Sequence, residues 1–198
     1  MLKTIPSNAV LIPDNAKKVF AGVIFDVYQW QQELFDGSKT TFEMLKRPDT
    51  VAAICVVEDK ILLLNDRQSH RDQQVKFPGG RGDPADLSAG DAARREILEE
   101  TGYEFVNWRL VSVRQPFSKI EWFVHYFIAW GETKKQAPHL DAGEKNTISF
   151  LTFDELKRLV TIAPADSYIG SAKDIFEQSD SLDKLLALPE YIGSPVDR

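Results

Sequence analysis

Three glutamates, Glu96, Glu99 and Glu100, stand in the run Arg94-Arg95-Glu96-Ile97-Leu98-Glu99-Glu100-Thr101-Gly102. On a helix of 3.6 residues per turn, Glu96 and Glu100 lie one above the other and Glu99 sits beside them. Like charges at these spacings repel by roughly a few tenths of a kcal/mol each, so a helix that keeps three together calls for a compensating cation. Arg95 offsets part of the repulsion by pairing with Glu99 at i+4. Oxygen ligands of this kind suit Mg²⁺, which takes carboxylates, waters and substrate phosphates rather than all-protein cages. The plain alternative is a solvated acidic helix face. The segment before the helix, Phe77-Pro78-Gly79-Gly80-Arg81-Gly82-Asp83-Pro84, weighs towards metal. Its Gly79-Gly80 pair lets the backbone approach a ligand closely. A glycine loop that opens a helix can hold phosphate, although the same residues also make an ordinary turn.

The elements around this stretch have their own signals. Ser88 is placed to cap the helix, with Asp91 three residues on, and Gly102 to stop it. Upstream, Lys18 to Leu34 is rich in β-branched and aromatic residues. Asp36-Gly37 is a hairpin turn, and Thr40 to Leu45 is the return strand. Val51–Val57 and Ile61–Leu64 form a second hairpin around Glu58-Asp59-Lys60, apolar enough to be buried on both faces. Trp108–Val113, Trp122–Trp130 and Thr147–Leu151 read as strands. Asp154–Val160 and Asp174–Leu188 read as helices, the latter with a polar interruption near Ser179-Asp180-Ser181. Residues 1–16, with Pro6 and Pro13, read as an irregular lead-in. Strands on both sides of a central helix, with further helices late, predict an α/β layer fold. A soft boundary at Arg47-Pro48-Asp49 separates an N-terminal unit, 1–48, from the remainder, 49–198.

Bulk properties narrow the function. With 198 residues and 43% apolar content, the chain can bury a sizeable core. A net charge of −6 argues against a nucleic-acid polymer as partner, because backbone binding needs many unpaired Lys and Arg. It leaves room for a small anionic substrate beside bound metal. A lone cysteine, Cys55, lies in an apolar run and reads as a buried structural thiol, in keeping with a reducing cytoplasm. No apolar run is long enough for a membrane span and no export leader is legible, so the expectation is a cytoplasmic protein without a membrane partner.

Loop and helix together resemble the Nudix hydrolase signature: a glycine, five residues, a glutamate, seven residues, then Arg-Glu-aliphatic-x-Glu-Glu-x-Gly-hydrophobic. Gly80 opens it, and Arg95-Glu96-Ile97-Leu98-Glu99-Glu100-Thr101-Gly102-Tyr103 closes it unbroken. Asp86 stands for the first glutamate with eight intervening residues rather than seven, and Tyr103 replaces the usual aliphatic. The resemblance implies an α/β/α sandwich with a mixed sheet, plus a small N-terminal antiparallel β subdomain. It implies Mg²⁺-dependent hydrolysis of a nucleoside diphosphate linked to another moiety, with Mn²⁺ as a substitute. It makes Glu96 and Glu100 metal ligands beside the Gly79 carbonyl, and Glu99 either a ligand or a holder of Arg95. For the general base or a further ligand it points to Glu144, in Asp141-Ala142-Gly143-Glu144-Lys145-Asn146. Glu121 is a competing candidate that the resemblance makes a substrate or metal contact, and His125 and His139 qualify by pKa alone.

The N-terminal unit, from Val19–Val27 through Phe42–Pro48, resembles the β-domain of ADP-ribose and ADP-sugar diphosphatases. There it exchanges between protomers, which implies a homodimer. A pair of strands packed on the chain's own core is the other reading. Arg67-Gln68 resembles the phosphate-contacting pair of that subgroup, and Gly80 and Arg81 join it as substrate contacts. Phe25, Tyr28, Trp30 and Trp122 are aromatics able to stack on a base or to fill core. The Gly79-Gly80 form of the loop, with Asp83-Pro84 following, also resembles coenzyme A diphosphatases. Thus AMP or another NMP plus a sugar phosphate are the leading products. Coenzyme A, dinucleotide or nucleoside triphosphate substrates are alternatives, and a non-catalytic nucleotide-binding regulator is the reading from another class.

Overall fold

The computed structural model describes residues 2–68, 71–139 and 144–197, with the main chain alone at residues 2, 67–68, 71–73, 144–145 and 197. Chain order is β1 (Leu2–Ile5), β2 (Lys17–Ala21), β3 (Asp26–Glu33), β4 (Lys39–Lys46), β5 (Thr50–Val57), β6 (Lys60–Gln68), β7 (Arg71–Lys76), α1 (Ala89–Thr101) and β8 (Tyr103–Arg114). It continues β9 (Ile120–Glu121), β10 (Val124–Lys135), β11 (Glu144–Leu151), α2 (Phe153–Ile162), α3 (Lys173–Glu177), α4 (Leu182–Leu186) and β12 (Ser194–Asp197).

The apolar run of β5 explains the architecture. Alternate side chains point to opposite faces of a strand. Val51, Ala53, Cys55 and Val57 pack with Ala92, Ala93 and Ile97 of α1, while Ile54 and Val56 pack with Leu156, Val160, Phe176 and Leu185 of α2, α3 and α4. The sheet between these layers has strand order β11-β6-β5-β10-β8, with β7 attached to β6. It is mixed, β5 and β10 running parallel and β10 and β8 antiparallel. This is the α/β/α sandwich that the sequence predicts.

A second sheet, β2-β3-β4-β9, carries the Asp36-Gly37 hairpin, with Gly37 at φ 81 as that turn requires. Its fourth strand is only Ile120–Glu121, parallel to Leu45 and Lys46. Trp122 and Phe123, expected within one long strand, instead form the corner between β9 and β10. Three other expectations change. The lead-in contains a true strand, since Leu2–Ile5 pairs with Ser194–Asp197. The hairpin β6–β7 was not legible, because Arg71–Lys76 is polar and has no period of its own. The helix expected over Asp174–Leu188 is two short ones: Ser179 Oγ bonds back to the Ile175 carbonyl, and Ser181 starts α4 by accepting from Lys184 N.

His125 of β10 is 2% exposed and is 3.1 Å through Nε2 from the Thr4 carbonyl of β1. Burial pushes its pKa below the ordinary value, against the opposing charge of Asp49. Below pH about 6.5 the unfolded chain takes up a proton that the folded imidazole resists, so stability falls with acidification and is flat above. His125→Gln is expected to flatten this slope in melting curves taken between pH 8 and pH 5.5. Ile97 is fully buried between α1 and the sheet. Ile97→Ala should cost about 2–5 kcal/mol in urea unfolding, whereas at the exposed Ile162 the same change should stay within about 0.5 kcal/mol.

Candidate metal and phosphate site

The glycine loop is held as an extra strand against β5. Val51 N donates to the Gly80 carbonyl and Ala53 N to the Pro78 carbonyl, each at 2.9 Å, which leaves the Gly79 carbonyl out of that ladder. Gly79 lies at φ 142, and a Cβ there would collide with the Val51 carbonyl. At Gly80 a Cβ would collide with the Glu96 carboxylate. The bare Cα of Gly80 is therefore the surface on which the Glu96 side chain rests. The helix that delivers Glu96 has the expected ends: Ser88 accepts from Asp91 N, and Gly102, at φ 73, returns its N–H to the Leu98 carbonyl.

One guanidinium organises the carboxylates. Arg95 donates through Nε to Asp86 Oδ1 at 3.1 Å and through Nη2 to Asp86 Oδ2 at 2.9 Å. Its Nη1 reaches Glu96 Oε1 at 2.9 Å and Glu99 Oε2 at 3.1 Å. Nη2 also bonds the Arg81 carbonyl, tying the loop to the helix. The Asp86 bond raises the pKa of Arg95, and the same bond lowers that of Asp86. The extra residue before Arg95 is thus absorbed in the loop, and Asp86 still arrives as a two-point partner of Arg95.

Burial raises the pKa of Glu96, opposed by Arg95 and reinforced by Glu99. Burial also lifts Glu100 to about 7, against the pull of Lys76 and the Gly79 N–H. Glu100 Oε2 accepts from Gly79 N at 2.6 Å, and Oε1 accepts from Lys76 Nζ at 2.8 Å. Asn146 Nδ2 lies 3.5 Å from the same Oε1. Buried Glu100, partly buried Glu96, half-exposed Glu99 and the carbonyl of Gly79, whose N–H bonds Glu100, make an oxygen-only donor set, which suits a hard divalent cation. No group of three or more His, Cys, Asp or Glu is assembled as a cage among the described residues.

The other candidates scatter. Glu121 is 3% exposed, ion-paired to Lys46 at 2.7 Å and accepting from Ile12 N at 2.8 Å, so both oxygens serve the scaffold between β4, β9 and the lead-in. His125 is turned to Thr4, and the exposed His139 reaches α1 through its backbone N–H, on the Glu99 carbonyl. Trp30 packs against Phe42 on the small sheet, and Tyr28 lies under Lys18. The side chains of Arg67 and Glu144, and residues 141–143, lie outside the described residues. By register Glu144 pairs with Gln68 and Lys145 with Arg67.

Phe25 and Trp122 both lie beside Arg47, a residue whose local sequence, Arg47-Pro48-Asp49, reads only as a boundary. The Arg47 guanidinium stands 4.5 Å from the Trp122 ring and 5.5 Å from that of Phe25. Burial and the nearby Arg81 charge both lower its pKa. Its Nε is buried without a hydrogen-bond partner among the described residues. A guanidinium close to two aromatic rings, within reach of a second arginine's charge, suits an anion that carries an aromatic group.

A family model described as NUDIX domain matches residues 46–170, more than half of the chain. A methanol dehydrogenase activator of Bacillus methanolicus is 29% identical over 148 residues, 70% of this chain and 77% of that protein. An ADP-ribose pyrophosphatase of Bacillus subtilis is 30% identical over 93 residues, 44% of this chain and 48% of that protein. Among solved structures, an ADP compounds hydrolase superposes with TM-score 0.66 over 83% of this chain and 90% of its own, at 18% identity, a likeness of fold.

Asp86→Ala should cost about 1–3 kcal/mol at neutral pH, read from the urea midpoint, because Arg95 loses a two-point charged partner. The sign follows from the lowered pKa of Asp86. The contribution is present above the ordinary carboxylate value and is lost as the pH falls through the folded one.

Proposed function

On the premise that this chain belongs to the Nudix family of hydrolases acting on phosphorus-containing anhydrides, we propose that it cleaves the pyrophosphate of ADP-ribose or another nucleotide sugar. The products are AMP, or the corresponding NMP, and a sugar phosphate. The observation that carries this reading is the Arg95-bound carboxylate face of α1 set against the Gly79-Gly80 loop. The relative named ADP-ribose pyrophosphatase supports the substrate class, as does Arg47 between Phe25 and Trp122.

Nudix enzymes generally use divalent metals, and the oxygen donor set favours Mg²⁺, with Mn²⁺ able to replace it. In this reading Glu96, Glu100, Glu99 and the Gly79 carbonyl hold the ion, which when bound neutralises the pyrophosphate and lowers the pKa of the attacking water. Arg95 positions Glu96 and Glu99 and fixes the loop. Arg47, Arg67 and Arg81 bind phosphate oxygens, and Gly80 keeps the loop close to them. The rings of Phe25 and Trp122 flank the base. Glu144, two positions before Asn146 on β11, takes the proton of the attacking water. Glu121 braces the wall that carries Trp122 rather than touching substrate.

The N-terminal unit, 1–48, serves as the dimerisation and pocket element. Phe20 and Val23 of its sheet region are 60% and 99% exposed, a surface that a second copy would bury. No described helix is long and apolar enough to cross a membrane, and the protein is read as a cytoplasmic homodimer.

A panel of ADP-ribose, other nucleotide sugars, coenzyme A, dinucleotides and nucleoside triphosphates, assayed with Mg²⁺, tests the substrate. AMP release from a nucleotide sugar, abolished by chelation, is expected. Preference for another member moves the chain to that alternative substrate. Failure on all of them favours a regulatory role, in line with the relative named methanol dehydrogenase activator. Glu96→Gln should lower kcat by about a hundredfold or more in a folded protein. Phe20→Asp should shift the species seen by light scattering from dimer to monomer, and a wild-type monomer would remove the dimer reading.

A further inference from the structure

A lysine ammonium buried against a carboxylate of α1 needs a physical account. Lys76 ends β7, is 9% exposed, and places Nζ 2.8 Å from Glu100 Oε1. Its positive charge is also felt by Glu96, one helical turn away. Glu96 and Glu100 are the two carboxylates whose repulsion a cation must relieve. Lys76 is thus a cation supplied by the chain at the place where the fold otherwise demands one.

Stability alone does not explain the arrangement. A buried ion pair gives little net gain over an apolar pair of similar volume, because both ions lose their hydration. Its effect on a metal ion is direct, since an ammonium and a divalent cation compete for the same oxygen lone pairs and repel one another across a few ångströms. The other Glu100 oxygen is held by the Gly79 N–H, at 2.6 Å. Glu100 therefore lies in a cradle already satisfied by N–H donors.

We propose that Lys76 is a positioning residue that acts as the resident counter-cation of the Glu96–Glu100 pair, competing with the divalent ion and keeping metal binding to the free protein weak. The inference rests on the metal-binding reading of α1 given above. Its consequence is that the ion is held firmly only when substrate phosphate adds its own oxygens.

Mn²⁺ alone, titrated calorimetrically into the full chain, is the probe, together with thermal unfolding in EDTA and in saturating Mn²⁺. Lys76→Met removes the charge and keeps most of the volume. It should bind Mn²⁺ about tenfold tighter than wild type. In EDTA it should melt roughly 5 °C lower, a deficit that Mn²⁺ closes. Lys76→Arg, which retains the charge, should behave as wild type. If Lys76→Met melts lower by the same amount with and without Mn²⁺, and its Mn²⁺ affinity is unchanged, Lys76 is an ordinary structural partner and the proposal falls. Should Lys76→Met not fold in EDTA, Lys76→Met/Glu100→Gln restores a neutral pair. That double variant should fold and show no gain in Mn²⁺ affinity, while a gain equal to tenfold would mean that Lys76 does not act through Glu100. Absence of Mn²⁺ binding in wild type and in both single variants would overturn the metal reading itself, whereas binding indifferent to Lys76 overturns this inference alone.

Discussion

Three carboxylates crowded on one turn of α1 are tolerable because a planar fork of donors addresses two of them, Glu96 and Glu99, while Lys76 and the Gly79 N–H hold the third, Glu100. The Arg95 guanidinium bonds Glu96 and Glu99 on its own helix and Asp86 and the Arg81 carbonyl in the loop. A lysine in its place would supply a point charge but not this division of direction. The bond to Arg81 sets the height of the loop above the helix, and the missing Cβ of Gly80 sets their closest approach. Ile97, on the sheet-facing side of α1, fixes the helix to β5, and β5 in turn carries the loop through its own N–H groups. Helix, loop and central strand thus form one closed mechanical circuit around the acidic face.

That circuit was legible in the sequence because its parts are local. Capping by Ser88, the stop at Gly102, the i, i+3 and i+4 spacing of the glutamates and the two-faced apolar run of β5 are all read within a dozen residues. Partners brought in from far along the chain were not legible. Lys76 sits in a polar strand whose only cue is its pairing with β6. Arg47 precedes a proline and resembles a boundary, and only the approach of Trp122 and Phe25 gives it a role. The strand Leu2–Ile5 has no period of its own because its partner is β12. Glu121 shows the opposite case: its local setting resembles a site, while its ion pair with Lys46 and its bond from Ile12 are long-range contacts that no local pattern announces. Asp86 keeps its place on Arg95 despite the added residue, since a loop can take up a residue without moving its end points.

The site's electrostatics divide between two kinds of acid. Glu99 is half-exposed and shares Arg95, while Glu96 and Glu100 are drawn into the protein, where burial opposes their ionisation. The fold therefore sets these two carboxylates where water is least able to screen them, and Arg95 and Lys76 offset part of their charge.

The two-residue strand β9 joins the small sheet to the wall of the site: its last residue, Glu121, is followed directly by Trp122, whose ring packs on Arg47. The ring and the guanidinium are thus both tied to the small sheet, Trp122 through β9 and Arg47 through the end of β4. Binding free energies are reciprocal between coupled sites. Were a partner on the small sheet to favour the seated position, whatever factor it added to the affinity of an anion at Arg47 would be returned by that anion to the partner's affinity.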